Sequence, residues 1–132
     1  MTLLPTRTPG VAPVPVAVTW TAVGEVVVLR CVGDLDLGGV EAMSGAVHDA
    51  LTHRPTGLVV DMSEVGFCDT VGLRLLLSTA AKARAQGCVP ALAAVRPSVG
   101  DFLARVCADR ALPAYADVGA AIEGLMFTAV WR

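Results

Sequence analysis

The chain has 132 residues and a formal net charge of -2, with 55% hydrophobic and 17% charged residues. This length accommodates one domain with a sizeable core, and so apolar a composition argues against extensive intrinsic disorder. The basic residues are scattered singly, which disfavours binding to nucleic acid, and charged residues or glycines interrupt every apolar stretch before it could span a membrane.

Prolines recur through the start of the chain, where they remove backbone donors and disfavour helix. We therefore predict a flexible proline-rich tail over residues 1–13, a folded domain over 14–127 and a short C-terminal tail over 128–132. No apolar block of the signal-peptide type is present, and the four cysteines form no Cys-x-x-Cys pair. These features predict a cytoplasmic protein with reduced cysteines.

Two runs of β-branched and apolar residues, 14–20 and 25–32, flank Ala22-Val23-Gly24 and predict a β-hairpin. An exposed edge of this hairpin could pair two copies into a homodimer. Gly33-Asp34-Leu35-Asp36 then breaks the strand, and apolar residues at helical spacing predict a helix over 37–52. The short apolar run 58–62 is typical of a central parallel strand that is buried on both faces.

A loop over 63–70 is followed by a second predicted helix over 71–86. We expect its buried stripe to consist of Leu73, Leu76, Leu77, Ala80 and Ala83. The remaining predicted elements are a strand over 88–95, a helix from Pro97 to about Arg110, a short strand at Ala114-Tyr115 and a helix over 117–127. This order predicts an α/β fold, a mixed sheet of four to five strands packed with about four helices, with the functional surface at the carboxyl ends of the strands.

The segment from Asp61 to Leu77 places a buried strand, a loop and a helix start in sequence. Asp69 or Thr70 can accept hydrogen bonds from the first N–H groups of that helix, and Gly72 would let another backbone come close. The segment resembles the STAS family, the domain of bacterial anti-sigma factor antagonists, whose helix-start motif is Asp-Ser-Ser/Thr-Gly-Leu after a strand of the Val-Val-Asp-Leu type. Residues 32–36 and 95–103 are also similar to family elements, so the resemblance covers about residues 16–125.

The resemblance implies a regulatory binding module and no enzymatic activity. An anti-sigma factor with serine/threonine kinase activity would bind the unmodified domain and free its sigma factor, and phosphorylation at Thr70 would end that binding. The family's phosphate acceptor is usually Ser and is followed by a small polar residue, whereas this chain has Thr70 and Val71. The implied partner-binding surface consists of Asp34, Asp36, Asp69, Thr70, Val71, Gly72 and Arg74.

Simpler interpretations of the same residues stay open. Asp69 and Thr70 could serve only as a helix cap, and Asp34 and Asp36 only as turn-forming residues. The alternative function is a phosphorylation-independent STAS scaffold or assembly subunit, which the apolar Val71 and the high mean hydropathy favour.

Catalysis and cofactor binding are not expected from the remaining residues. Cys68, in a loop that we expect to be exposed, could be a reactive thiol near a helix N-terminus, but no His is placed to activate it. His48 and His53 do not fall on one helix face, and no carboxylate or Cys cluster completes a metal site. The chain has no glycine-rich phosphate loop or nucleotide fingerprint, so we predict no cofactor.

Overall fold

The computed structural model describes Gly10, Ala12 and residues 14–106 and 111–130, with the backbone alone for 128–130. Most of the predicted N-terminal tail, the side chains of the predicted C-terminal tail and residues 107–110 of the third predicted helix therefore lie outside the described residues. Within the described ranges, five strands form one mixed sheet. The strands are β1 (Ala17–Val23), β2 (Val26–Val32), β3 (Gly57–Glu64), β4 (Val89–Ala93) and β5 (Ala114–Tyr115).

The strand order across the sheet is the order in the chain, β1-β2-β3-β4-β5. β1 and β2 pair antiparallel, whereas β2, β3, β4 and β5 are parallel to one another. The predicted hairpin is confirmed, but its turn lies one or two residues later, at Gly24-Glu25, where Gly24 has the positive φ of 61° that such a turn requires. β1 begins at Ala17 and not at Val14, since residues 14–16 lie against the loop that follows β2.

One helix follows each of the strands β2 to β5 in the chain. These helices are α1 (Val40–Thr52), α2 (Thr70–Ala85), α3 (Pro97–Arg105) and α4 (Val118–Val130). A 3-10 turn over Leu37–Gly39 precedes α1. α2 begins one residue earlier than predicted because the residue before Thr70 is its cap. The predicted α/β fold, a mixed sheet with four helices, is confirmed.

The main core lies between one face of the sheet and helices α1, α2 and α3, and a smaller core lies under α4 on the other face. Successive β3 residues belong to opposite cores: Leu58 and Val60 to the larger, Val59 to the smaller. β3 is therefore buried on both faces, as predicted. Each fully buried Leu or Val contributes about 1.5–3 kcal/mol relative to an exposed one, so the central strands contribute much of the stability of the fold.

The buried stripe of α2 is confirmed in part. Leu76, Ala80 and Ala83 are buried, whereas Leu73 and Leu77 are half-buried. The helix also buries Thr79, whose hydroxyl donates a 2.8 Å hydrogen bond to the carbonyl oxygen of Leu75 and so satisfies its polar group.

Candidate functional site

Two loops meet at the carboxyl edge of the sheet, one after β2 (residues 33–36) and one after β3 (residues 65–69). The backbone N–H of Leu35 donates to the carbonyl oxygen of Phe67 at 2.9 Å, and the N–H of Asp69 donates to the carbonyl oxygen of Leu35 at 3.3 Å. The Leu35 side chain is fully buried. Because β2 and β3 are adjacent and parallel, these bonds join the two loops into one surface, which we call the carboxyl-edge surface.

Gly72 lies beneath this junction. A Cβ atom added at Gly72 would lie 2.8 Å from the carbonyl carbon of Leu35 and 2.9 Å from the Sγ of Cys68, which is closer than a side chain tolerates. The close backbone approach predicted at Gly72 is present, and the approaching backbone is that of Leu35 in the same chain. Gly72 is buried, so its role is to let the loops pack, and it does not lie on the exposed surface.

Two aspartates at the carboxyl edge cap the helical segments that follow them. Asp36 Oδ1 accepts a hydrogen bond from the N–H of Gly38 at 3.0 Å, at the start of the 3-10 turn. Asp69 Oδ1 accepts one from the N–H of Gly72 at 3.0 Å, at the start of α2. Each carboxylate satisfies a free helix N–H and lies at the positive end of its helical segment.

The two capping aspartates line one open cleft of about 420 Å³. Gly38 and three apolar residues also line it: Leu37, which is 74% exposed, Val14, which is 52% exposed, and Pro15. The predicted site residues do not include Val14, Pro15 or Leu37, because residues of these types are typical of strands, turns and helix interiors. An exposed leucine next to two carboxylates is a feature that only the folded chain reveals.

The predicted phosphorylation site lies on the same surface. Thr70 is the first residue of α2 and is exposed. Arg74, four residues later and also exposed, lies on the same helix face, because residues at that spacing are neighbours. Val71 is half-buried. The structure therefore brings Thr70, Val71, Arg74, Asp69 and Asp36 to one edge of the sheet.

Asp34 has a structural role at this edge. Its Oδ2 accepts a 3.0 Å hydrogen bond from the N–H of Val14, and its own N–H donates to the carbonyl oxygen of Val14 at 2.8 Å. The half-buried Asp34 thus fixes the chain segment that enters β1 against the loop that leaves β2. This contact was not expected from the sequence, because twenty residues separate its partners.

The expected exposure of Cys68 is wrong, since this residue is 1% exposed. Its Sγ donates to the carbonyl oxygen of Asp69 at 3.6 Å. Burial, and secondarily the charge of Asp69, raises the pKa of the Cys68 thiol to about 12. A neutral, buried thiol is a poor nucleophile, so its role here is packing.

His48 and His53 are exposed, and the ring of His53 packs against Trp20 with the ring centroids 4.7 Å apart. Within the described part of the chain, no group of three or more His, Cys, Asp or Glu residues is arranged to hold a metal ion. No helix in those same ranges is long and apolar enough to cross a membrane.

Comparison with known proteins gives matches over most of the chain. A family model described as "Mlab, STAS domain" matches residues 18–113. The anti-sigma-F factor antagonist RsfB of Mycobacterium tuberculosis is 37% identical over 71 residues, which cover 54% of this chain and 58% of that protein. The match thus spans less than two thirds of the length of this relative.

Solved structures share the fold at low sequence identity. An anti-sigma factor antagonist from Mycobacterium paratuberculosis has a TM-score of 0.76 at 22% identity, covering 84% of this chain and 94% of that chain. The anti-sigma factor antagonist SpoIIAA in its unphosphorylated form has a TM-score of 0.62 at 19% identity, covering 79% and 92%. The murine anion transporter Solute Carrier 26 family member A9 has a TM-score of 0.68 at 18% identity, covering 80% of this chain but 18% of the transporter.

Proposed function

This chain belongs to the STAS domain family, and we propose that it acts as an anti-sigma factor antagonist, a cytoplasmic regulatory protein without catalytic activity of its own. Its domain over residues 14–127 would bind an anti-sigma factor with serine/threonine kinase activity, and phosphorylation of Thr70 would end the binding. The similarity to RsfB supports the class of function. The observation that carries the proposal is the exposed Thr70 at the first turn of α2, beside a cleft with both apolar and acidic walls.

The carboxyl-edge surface has the properties of a docking site for a protein. Leu37 exposes most of its side chain beside Val14, and exposed apolar residues that adjoin polar groups commonly anchor protein interfaces. The carboxylates of Asp36 and Asp69 border these apolar groups and favour a partner surface with basic side chains. The loops beneath are joined by backbone hydrogen bonds, so little ordering is needed when a partner binds.

A phosphate on Thr70 would change the charge of this surface without unfolding it. The group adds about -1.5 to -2 charges at neutral pH, and a helix N-terminus accommodates negative charge. Placed next to Asp69 and Asp36, it would concentrate negative charge and bulk where the partner lands. A cost of about 2.7 kcal/mol corresponds to a hundredfold loss of affinity, which an interface of this kind readily supplies.

The first test is intact-mass analysis after incubation with the cognate anti-sigma factor and ATP. We expect the parent chain to gain one phosphoryl group and the Thr70→Ala variant to gain none. Ser78→Ala is the matched control, because Ser78 is an exposed hydroxyl residue further along α2. We expect the Ser78→Ala variant to gain one phosphoryl group, as the parent does. Phosphoryl transfer to the Thr70→Ala variant would assign the modification to another residue.

The second test is titration calorimetry of binding to the anti-sigma factor. We expect Thr70→Asp to weaken the affinity about tenfold to a hundredfold, because it adds negative charge to the docking surface. The loss should be smaller than with phosphate, since a carboxylate carries less charge. Ser78→Asp, with the same charge change about two turns from the site, should bind like the parent. Equal affinities for both variants and the parent would contradict the switch.

A second candidate function is a phosphorylation-independent scaffold or assembly subunit. The half-buried, apolar Val71 next to Thr70 favours it, because this residue extends the apolar part of the surface towards the acceptor position. Undiminished binding by Thr70→Asp, together with an unmodified Thr70 in the intact-mass experiment, would support the scaffold. The predicted homodimer through the edge of β1 is compatible with either function, because β1 lies at the edge of the sheet.

A further inference from the structure

The two edges of the sheet differ in how they are protected. β5 has two residues, whereas β1 has seven and pairs with β2 at every one of them without a bulge. Proteins commonly block an edge against other strands by making it short, by placing charges or proline on it, or by a bulge. β5 is short, but β1 (Ala-Val-Thr-Trp-Thr-Ala-Val) has no charged residue, proline or bulge. The edge of β1 is therefore open to pairing with another strand.

Alternate residues of β1 direct their backbone groups away from β2. The hairpin turn at Gly24-Glu25 makes Val23 and Val26 the closing pair. The closing pair of a two-residue hairpin exchanges both of its hydrogen bonds, and along an antiparallel ladder such pairs alternate with pairs that exchange none. The N–H and C=O groups that point outward therefore belong to Val18, Trp20 and Ala22. In the described part of the chain, no strand lies beyond β1, and no loop or turn hydrogen bond involves these groups.

The sequence of β1 is nearly the same when it is read in either direction from Trp20. A threonine lies on each side of Trp20, followed on each side by two residues that are Ala or Val. When two copies of such a strand pair antiparallel about a twofold axis at Trp20, the two tryptophans face each other. Thr19 of each copy then faces Thr21 of the other. Aromatic pairs and Thr–Thr pairs are among the stabilising cross-strand pairs, so every position of β1 meets a matching residue in a second copy.

Trp20 is only half-buried within the domain. Its side chain packs against the larger core, and its ring contacts that of His53. On the other face of β1, Thr19 and Thr21 are exposed, and Val23 is 43% exposed. A second β1 alongside would cover the exposed part of Trp20 and would satisfy the outward backbone groups. A strand of unrelated sequence would bond to the same backbone groups but would lack this match of side chains, so the observations favour a second copy.

We propose that two copies of this chain pair antiparallel through β1, with Trp20 at the twofold axis, and join their two five-stranded sheets into one ten-stranded sheet. This proposal specifies the surface and the register of the predicted homodimer, and it does not depend on binding of an anti-sigma factor. Because the pairing is antiparallel, the carboxyl edges of the two sheets point in opposite directions. α2 packs against β4, which two strands separate from β1, so both Thr70 residues stay accessible. Under the proposed function, the dimer therefore binds two anti-sigma factor molecules.

The register predicts the effect of charges placed at Thr19 and Thr21. Thr19→Glu with Thr21→Glu places like charges opposite each other at two positions of the dimer, whereas Thr19→Glu with Thr21→Lys places opposite charges there. The second double variant is the matched control, because both variants change the same two exposed residues. Sedimentation velocity of the full chain over a range of concentrations measures the dimer Kd. We expect the first double variant to raise this Kd about tenfold or more, and the second to keep it within about threefold of the parent.

Hydrogen exchange tests the paired edge directly. The amides of Val18, Trp20 and Ala22 should exchange more slowly as the protein concentration rises, because only the dimer protects them. The amides of Thr19 and Thr21, which point towards β2, should be protected at every concentration. A monomeric parent, equal Kd values for the two double variants, or a dimer whose Trp20 amide exchanges as fast as in dilute protein would overturn the pairing.

None of these measurements contains an anti-sigma factor, so they separate the failure of this inference from the failure of the proposed function. If the dimer forms through β1 but the chain binds no anti-sigma factor, the proposed function fails and the pairing stands. If the chain binds an anti-sigma factor but stays monomeric, the pairing fails and the proposed function stands.

Discussion

Two clefts lie at opposite ends of this domain and differ in how they are built. The carboxyl-edge cleft combines helix N-termini with Asp36 and Asp69, whereas a cleft of about 320 Å³ near the C-terminal ends of α1 and α2 has His48 and Lys82 among its lining residues. Asp36 and Asp69 in the first cleft and Lys82 in the second oppose the partial charge of the neighbouring helix ends. The sign of the charge therefore follows from helix direction and does not by itself identify a functional site.

Three glycines at the carboxyl edge are tightly packed. At the carboxyl edge a side chain on Gly33, Gly39 or Gly72 would collide with neighbouring backbone or buried groups. Gly45 in α1 and Gly87 after α2 have nothing within 4 Å of an added Cβ atom. Gly57 at the start of β3 and Gly124 in α4 are also tightly packed, against Leu125 and Tyr115, so tight glycine packing marks the junction of the two loops without being confined to it.

The largest expected effect comes from filling the junction beneath the carboxyl-edge surface. We expect Gly72→Ala to lower the free energy of unfolding by about 3 kcal/mol, since its Cβ would displace Leu35 and Cys68. Gly45→Ala is the matched control in an exposed helix position and should be neutral or stabilising by up to about 1 kcal/mol. Urea unfolding measures both. Equal free energies of unfolding for the two variants would contradict this prediction, because the junction would then accommodate the added Cβ atom without cost.

The next effect concerns binding and leaves the fold intact. Leu37→Ala should weaken binding of the anti-sigma factor about tenfold, because an exposed apolar anchor is removed, while the free energy of unfolding changes by less than about 0.5 kcal/mol. Gln86→Ala removes an exposed side chain from the opposite cleft and should leave the affinity unchanged. Titration calorimetry and urea unfolding test the pair. A larger loss of affinity in Gln86→Ala than in Leu37→Ala would indicate that the partner docks at the cleft near the C-terminal ends of α1 and α2.

A smaller effect tests whether Asp69 only caps α2 or also contributes to binding of the partner. Asp69→Ala removes the cap of α2 and Asp117→Ala removes the cap of α4, where Asp117 Oδ1 accepts the N–H of Ala120 at 2.7 Å. Each should cost about 1 kcal/mol of unfolding free energy. We expect Asp69→Ala alone to lower the affinity for the anti-sigma factor. If both variants bind equally well, Asp69 is a cap and nothing more.

The last effect is absent at neutral pH and develops only in alkaline solution. Burial, with added repulsion from Asp61 and Asp69 respectively, raises the pKa of Cys31 and of Cys68 from 9.0 to about 12. Between these values the unfolded chain loses thiol protons that the folded chain retains, so the free energy of unfolding falls as the pH rises from 9 towards 12. Urea unfolding at several pH values should show a shallower fall in the double variant Cys31→Ala, Cys68→Ala. Parallel pH profiles would contradict the assignment.

Much of the fold follows from local sequence signals. The alternation of strands and helices, the burial of β3 on both faces and the start of α2 near Asp69 were predicted from apolar patterning and capping residues. The observed boundaries of helices and strands differ from the predicted ones by a few residues where contacts with a neighbouring segment determine them. At β1, for example, Pro15 pairs with Asp34, and the strand begins after it, at Ala17. Such contacts join residues far apart in the chain and leave no periodic signal in the sequence.

The candidate site was predicted less completely for the same reason. Thr70, Asp69 and Arg74 belong to one helix start, so a motif identifies them together. Cys68 was expected to be exposed because it lies in a loop, yet the parallel bridge between Leu35 and Cys68 buries it. Val14 and Leu37 reach the cleft from two other segments, and only the packing of the β2 and β3 loops brings them there.

The hydrogen bond from Leu35 to Phe67 also has a consequence for the order of events during synthesis. Its partners lie 32 positions apart, on either side of the crossover through α1 and β3. A nascent chain must therefore complete this crossover before the surface exists, and such non-local pairing is among the slower steps of folding. Under the proposed function, a partner that contacts both loops would therefore bind only a chain that has completed this crossover.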